Sequence, residues 1–539
     1  MRQHKNLFYI LLLTIVTLLI YAHTSNYGFL NWDDNKDILN KPRIEHLSMR
    51  SVVHLFNPSG IFQGQYFYEY FPITDLSYMI EWHFYGETFA QGFHLDNILL
   101  HLINVLLLFF AFRLLLKRYT SGNENTPDLK NIDSSILSIE AIAFIGAMMF
   151  AVSPVMVETV SWLACRKDLL LLMFYLIWFI AYMKERYVIA FLMFVCAILS
   201  KFQGVTIPGV LVGYELFIHR QDIVKILKRL IPYIVILTVY VPYTMWYYNK
   251  GGTAFVDKLG TLWTLMFIPE MIFLYLRKLF LPFGLVPVYT IPAVSNIILF
   301  IVSVVCFFIL VVWIITLFKK KQYLQLFGLS WFFANLVPVS NIVPLPTKIA
   351  DRYVYEAGLG VFLIVSLWIW SAYQQSRYKK LFTGVVVLIF CVSAFLSYKQ
   401  TLHWQNNITL WSHTLKYQPD SYIAWNNIGT EYEKQGHEEK AIYAFEQSLK
   451  YNPDFVPALW NMGKYYLQNN DYIRALPLFS RMCEIHSKEQ YLGCRAAGAI
   501  YLKYYNQPLI AKRYFEQSYM LNPQQPDAQG LKYIIDTIQ

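Results

Sequence analysis

The sequence predicts an all-α protein, a polytopic transmembrane helix bundle of about eleven spans followed by a C-terminal α-solenoid. Three observations predict it. Of 539 residues, 56% are hydrophobic and only 15% charged, whereas a soluble domain carries nearer a quarter of charged residues. Apolar stretches approaching the roughly 20 helical residues that a bilayer requires recur along residues 1–398. Near Lys399 those stretches stop, and a residue pattern with a period of 34, stretched to 36 before its third unit, takes over in the 399–539 region.

The apolar stretches run from Leu7 to Tyr21, Asn97 to Leu116, Ile136 to Val155, Asp168 to Met183, Tyr187 to Leu199 and Val205 to Ile218. They continue with Leu230 to Tyr248, Ile297 to Phe318, Leu324 to Val339, Tyr353 to Trp370 and Leu381 to Leu396. The first has Arg2 and Lys5 before its apolar core and small residues after it at Ala22 to Ser25, a signal-peptide pattern, and is read as a retained span. A further stretch, Leu262 to Leu281, carries Pro269, Glu270, Arg277 and Lys278 and is read as interfacial or re-entrant. With a cytoplasmic N-terminus, this count puts the basic clusters at Lys117-Arg118, Lys184/Arg186, Lys225/Lys228/Arg229, Lys319 to Lys321 and Lys379-Lys380 inside. A large first loop, 22–96, and the whole region after about Lys399 then face the extracytoplasmic side. The formal charge of +10 is therefore explained by short loops, and a nucleic-acid partner is not expected.

The 34-residue period pairs Ala424 with Ala458, Gly429 with Gly463, Tyr432 with Tyr466 and Phe445 with Phe479. Trp425, Ile428, Gly429, Tyr432, Ala441, Phe445 and Pro453 match the tetratricopeptide pattern, in which small residues let two helices approach and proline ends the second. Units are expected near 424–457, 458–491 and 492–525, the third with a degenerate first helix around Tyr491 to Tyr501. A partial unit upstream is marked by Trp411 and Pro419. Such an array either offers a concave surface to an extended peptide or merely scaffolds the membrane part. Cys165, Cys196, Cys306 and Cys391 show no metal-ligand spacing. In an oxidising compartment Cys483 and Cys494 are placed either to bridge or to remain two buried thiols.

Three polar constellations lie where apolar segments meet the extracytoplasmic side. Asp33 and Asp34 follow Asn31-Trp32 in the first loop, which is rich in aromatics at Tyr66, Phe67, Tyr68, Tyr70 and Phe71. A carboxylate there suits a general base towards a hydroxyl, and two adjacent carboxylates raise the pKa of one. Alone, such a pair is more often a solvated loop or helix cap. The second constellation is Ser153-Pro154, Glu158, Trp162, Arg166-Lys167 and Asp168, joined by Lys201 at the next turn. Positive charge on that side runs against the topology rule and suits an anion, the alternative being helix-end cations that snorkel to the interface. The third is Lys348 to Tyr353, with Asp351 and a phosphate-suited fork in Arg352.

The acidic pair, the run Phe150 to Glu158, the run Arg166 to Leu170, Leu199-Ser200-Lys201, Asp351-Arg352-Tyr353, His403-Trp404 and Leu410-Trp411 together resemble the transmembrane and tetratricopeptide-repeat-containing O-mannosyltransferases, of the GT-C class of glycosyltransferases. The likeness runs from about Leu7 to Pro523. It implies a GT-C-like membrane domain that moves mannose or a similar hexose from a polyprenyl-phosphate donor to a protein Ser or Thr. It assigns the base to Asp33 or Asp34, with Asp34 favoured as farther from the span, and the donor phosphate to Arg166, Lys201 and Arg352. Glu158, Asp168 and Asp351 become orienting partners. The lipid-phosphate sugar is a co-substrate, a divalent cation an optional helper, and the acceptor protein a partner of the repeats. A bacterial inner membrane is the expected location, with the repeats on the extracytoplasmic side. The chain departs from the family where Ser153-Pro154 replaces His-Pro and where Phe202 replaces an acidic residue, which bears on sugar and acceptor identity. A lipid or glycan glycosyltransferase or ligase, and a non-enzymatic membrane-anchored repeat protein for envelope assembly, are the competing readings.

Overall fold

The computed structural model describes residues 2–57, 70–86, 88–122, 136–250, 260–290, 297–342, 345 and 347–538. Tyr66, Phe67 and Tyr68 lie outside the described residues. The described chain is helical and divides into two compact units, with the boundary at Asn406 and Asn407.

The first unit opens with α1 (Arg2–Tyr21), and its first loop carries α2 (Met49–Phe56) and α3 (Pro72–Tyr85) ahead of the long α4 (Ala90–Gly122). α5 (Ile136–Val152) breaks where Pro154 cannot donate a helical N–H, and the chain bends by 54° into α6 (Val157–Ser161). A turn over Leu163–Cys165 leads into α7 (Arg166–Met183), followed by α8 (Tyr187–Ser200), α9 (Ile207–Gly213) and α10 (Ile223–Lys250). The unit ends with α11 (Gly260–Phe280), α12 (Ile297–Lys319), α13 (Tyr323–Leu336), α14 (Val354–Gln375) and α15 (Lys379–Thr401).

Five helical segments among the described residues are long and apolar enough to cross a membrane: Asn6–Asn26, Ala90–Ser121, Ile297–Lys319, Asp351–Gln375 and Lys379–Trp404. The broken pair Ser138–Val152 and Pro154–Ser161 makes a sixth, and Tyr187–Ser200, Phe202–Ile218 and Tyr323–Val339 are shorter apolar helices. Of the remaining expected spans, Asp168 to Met183 lies in α7, whose first turn carries Arg166, Lys167 and Asp168, and Leu230 to Tyr248 lies in α10, which contains Pro232 and Pro242. The chain is a multi-pass membrane protein. α13 and α14 cross closely enough that a Cβ on Gly360 would meet the carbonyl oxygen of Gly328, so this crossing depends on two glycines. α11, expected to be interfacial or re-entrant, is one continuous helix through Pro269.

The second unit is the helical array. α16 (Asn407–Tyr417) is the upstream partial unit and buries Trp411. Three pairs follow: α17 (Tyr422–Lys434) with α18 (Glu438–Tyr451), α19 (Val456–Gln468) with α20 (Tyr472–Glu484), and α21 (Gln490–Lys503) with α22 (Pro508–Leu521). α23 (Ala528–Thr537) closes the array and buries Leu531 against Ala511 and Phe515. In each pair a glycine faces a phenylalanine ring, so that a Cβ would lie 2.7 Å from Phe445 at Gly429, 2.8 Å from Phe479 at Gly463 and 2.8 Å from Phe515 at Gly498. The third unit keeps this glycine although its motif is degenerate in sequence.

Cys483 and Cys494 are joined by a disulfide, their Cα atoms 4.7 Å apart, which ties α20 to α21. The bond closes a sequence separation of 11 residues, and loop-closure entropy for so short a loop amounts to about 3 kcal/mol. Cys483→Ser and Cys494→Ser are each expected to lower the stability of the array by about that amount. Denaturation of the variants, followed by the protection of repeat peptides from proteolysis, measures it; wild-type protection in both would remove the bond's structural role.

Candidate functional site

The segment from Ser153 to Asp168 is buried throughout except Lys167, although it carries Glu158, Arg166 and Asp168. Burying charge is costly unless each charge is paired. The surrounding elements supply the partners. Glu158 on α6 accepts from the Arg352 guanidinium at 2.6 Å and from its backbone N–H at 3.2 Å, and that guanidinium lies 5.2 Å from the centre of the Trp162 ring. Asp168, in the first turn of α7, pairs with Lys201 just past the end of α8. The charges of Glu158, Arg352, Asp168 and Lys201 all act on the buried Cys165 between them, whose thiol pKa burial pushes up.

Arg166 is 1% exposed and fully engaged. It pairs with Glu81 of α3, donates through Nε to Asn97 Oδ1 and through Nη2 to the Phe93 carbonyl at 2.8 Å, and lies 5.3 Å from the Tyr78 ring centre. Its neighbour Lys167 reaches Asp37 at 3.5 Å. Lys41 and Arg43 both bind Asp75, fastening the first loop onto α3.

The acidic pair divides by burial. Asp34 is wholly buried; its Oδ2 accepts from the Leu30 N–H at 2.9 Å and its Oδ1 from the Ala164 N–H at 3.0 Å. Those amides favour the carboxylate, but burial outweighs them and Asp34 is pushed up to about 7. Asp33 is partly exposed, and its carbonyl accepts from the N–H groups of Lys36 and Asp37 at 3.0 and 2.8 Å. Asp34 thus acts as a tether from the first loop to the segment that carries Glu158 and Arg166. Beside this tether Trp32, Trp162 and Trp404 form a ladder, with ring centres 6.1 and 6.2 Å apart.

Six of the eight residues expected at the site, Asp34, Glu158, Arg166, Asp168, Lys201 and Arg352, therefore meet on this segment, and Asp33 adjoins it. Asp351 turns instead to Lys278 at 2.6 Å and to the Tyr289 hydroxyl at 2.8 Å. Sequence reasoning missed Glu81, Asn97, Asp37, Lys278 and Tyr289 as partners. The signal for Lys278 was present, a cation pair inside an apolar helix, but it was read as evidence of an interfacial segment. Each of the five cations Lys167, Arg166, Lys201, Lys278 and Arg352 has a carboxylate partner, so an incoming anion must compete for it. By side-chain exposure Arg352 at 11% and Lys167 at 15% are open to that competition more than Arg166 at 1% or Lys201 at 7%. Ser153 Oγ, Ser161 Oγ and Trp162 Nε1 are buried without a hydrogen-bond partner among the described residues, which suits a polar ligand. No group of three or more His, Cys, Asp or Glu side chains is gathered for a metal ion among the described residues.

The tetratricopeptide-repeat family model matches residues 422–455. Over 237 residues the chain is 29% identical to the protein O-mannosyl-transferase Tmtc3 of Drosophila melanogaster, covering 40% of this chain and 25% of that protein. Over 422 residues it is 21% identical to the TMTC3 protein O-mannosyl-transferase of Mus musculus, covering 69% and 43%. The TMTC4 protein O-mannosyl-transferase of Homo sapiens is 25% identical over 235 residues, covering 40% and 30%. The chain thus spans between a quarter and under half of the length of these relatives. It is a multi-pass membrane protein with C-terminal tetratricopeptide repeats, similar to the protein O-mannosyl-transferases.

Proposed function

We propose that the chain is a membrane glycosyltransferase that moves a hexose of the mannose type from a polyprenyl-phosphate donor to a Ser or Thr hydroxyl of a protein on the extracytoplasmic face. The observation that carries this reading is the bond from Asp34 to the Ala164 amide. It supports the reading because it holds Asp34 to the segment that carries Arg166 and that Lys201 and Arg352 meet through Asp168 and Glu158. Asp33, the accessible member, takes the proton of the acceptor hydroxyl as the hydroxyl oxygen bonds to the anomeric carbon. The bond from that carbon to the donor phosphate breaks on the opposite face, so the configuration inverts. The departing lipid phosphate keeps the electron pair, and Arg352, released in part from Glu158, neutralises it. Asp34 positions the pair, and Arg166 holds the segment in place. The repeats receive the acceptor protein; a cavity of about 380 Å³ within the array, lined by Trp425, Tyr432, Lys440 and Tyr443, among others, suits an apolar or aromatic side chain of that protein.

The test is transfer of labelled mannose from polyprenyl-phosphate mannose to a Ser/Thr peptide by the protein in nanodiscs. Label on the peptide with inverted configuration is expected; label on lipid or free glycan alone would replace the acceptor class. The pH dependence follows from Asp34. Raised from 3.8 to about 7, it is protonated below neutrality, and its ionisation adds negative charge beside Asp33 that makes Asp33 a stronger base. Turnover is expected to rise with pH through about 7, and Asp34→Asn to flatten that limb. Folding stability has the opposite slope: the contribution of Asp34 is complete below the ordinary carboxylate range and is lost as pH rises through about 7.

A further inference from the structure

We propose that Lys278 is a positioning residue for the lipid phosphate: by neutralising Asp351 it leaves Arg352 available to a phosphate group. This rests on the reading of Arg352 as the cation that meets the donor phosphate. Lys278 lies in the last turn of α11, and Tyr289 follows in the segment after that helix. The chain turns at Gly284, whose φ of +66° favours glycine, and the Tyr289 hydroxyl accepts the Val286 N–H at 3.0 Å. The Tyr289 ring centre thereby comes within 3.3 Å of Lys278 Nζ. Both polar groups meet Asp351. Lys278 Nζ lies 2.6 Å from its Oδ1, and the Tyr289 hydroxyl lies 2.8 and 2.9 Å from its two carboxylate oxygens.

The side chains of Lys278 and Asp351 are both buried. A buried ion pair is weak evidence for stability, because apolar side chains of similar volume often serve as well or better. Its effect on the next residue is more specific. Asp351 and Arg352 are consecutive in one turn, Asp351–Tyr353. Without Lys278, the Asp351 carboxylate would become a second uncompensated anion beside Arg352, which already faces Glu158. The charge of Asp351 acts on Glu158 and that of Glu158 acts on Lys278, so two cations and two anions share this place and balance. Among the described residues, the Arg352 guanidinium hydrogen-bonds only through Nη1, to Glu158. Its remaining N–H groups suit phosphate oxygens. Balance matters most after transfer. The donor is a phosphodiester with a single negative charge, whereas the departing polyprenyl phosphate is a monoester, which carries about −1.5 to −2 at neutral pH. A stranded Asp351 carboxylate would oppose that added charge.

The experiment is equilibrium binding of a radiolabelled polyprenyl monophosphate to the full chain in phosphatidylcholine nanodiscs, with SDS unfolding of each variant in parallel. Lys278→Met strands Asp351 and is expected to weaken binding about tenfold. Asp351→Asn removes the negative charge and is expected to bind at least as tightly as wild type. Lys278→Met combined with Asp351→Asn removes both charges and is expected to return to within about twofold of wild type. A clamp that matters only for structure predicts weaker binding in all three. Weaker binding in Asp351→Asn, no rescue in the double variant, or wild-type affinity in a folded Lys278→Met each overturns the proposal. If Lys278→Met does not fold, Asp351→Asn and the double variant decide between the same outcomes. A wild-type chain that binds no polyprenyl monophosphate overturns the donor reading and this proposal with it, whereas tight wild-type binding with any of those three results overturns the role of Lys278 alone.

Discussion

Asp33→Asn is expected to lower mannose transfer by about a thousandfold while leaving the protein folded, since a positioned base contributes roughly 10²–10⁴ to the rate. Asp33 is partly exposed, and its backbone carbonyl accepts from the N–H groups of Lys36 and Asp37, bonds that the substitution keeps. Asp34→Asn should behave differently. One oxygen of Asp34 accepts from Leu30 and the other from Ala164, so an asparagine NH₂ must face one of those N–H donors. A donor against a donor in a buried site costs about 1–3 kcal/mol. The Asp34 variant is therefore expected to lose stability in step with a smaller loss of rate, about tenfold. Parallel measurement of nanodisc transfer rates and SDS unfolding separates the two roles. Full activity in Asp33→Asn beside an inactive but stable Asp34→Asn would assign the base to Asp34.

The sequence made the helical repeats legible nearly residue by residue, because a 34-residue repeat fixes which small residue meets which ring; Gly429 and Phe445 recur as Gly463 and Phe479. The disulfide was legible only as one of two outcomes, since the approach of Cys483 to Cys494 depends on how α20 packs on α21. Membrane helices were legible as apolar stretches, but their number was not. A helix such as α7 buries Arg166 and Asp168 in ion pairs with distant partners, and hydropathy counts those charges as if they met lipid. The site was legible as a set of charges on one side. Its pairing was not, because Glu81, Asn97 and Arg352 reach the segment from helices far apart in the chain, and nothing local marks Glu81 as the partner of Arg166. The consequence is specific: Arg166, expected at the donor phosphate, is the most enclosed of the cations.

Arg166→Met is accordingly expected to cost about 3–5 kcal/mol, the usual effect of breaking a buried pair and leaving one charge uncompensated. Glu81 is left buried without its cation, and the Phe93 carbonyl and Asn97 Oδ1 lose their donor. Glu81→Leu combined with Arg166→Met removes the stranded carboxylate, so the double variant is expected to regain about half of the loss, the remainder being the orphaned oxygens of Phe93 and Asn97. A four-protein cycle of SDS unfolding measures the coupling. The kinetics of the same proteins identify the role. A brace that holds Ala164 under Asp34 lowers turnover as stability falls and leaves the KM for polyprenyl-phosphate mannose near wild type. Arg352→Lys, which keeps a charge but loses the planar fork, should instead raise that KM by about tenfold. A raised donor KM in Arg166→Met at unchanged stability would return Arg166 to the phosphate and make Glu81 the partner it leaves on binding.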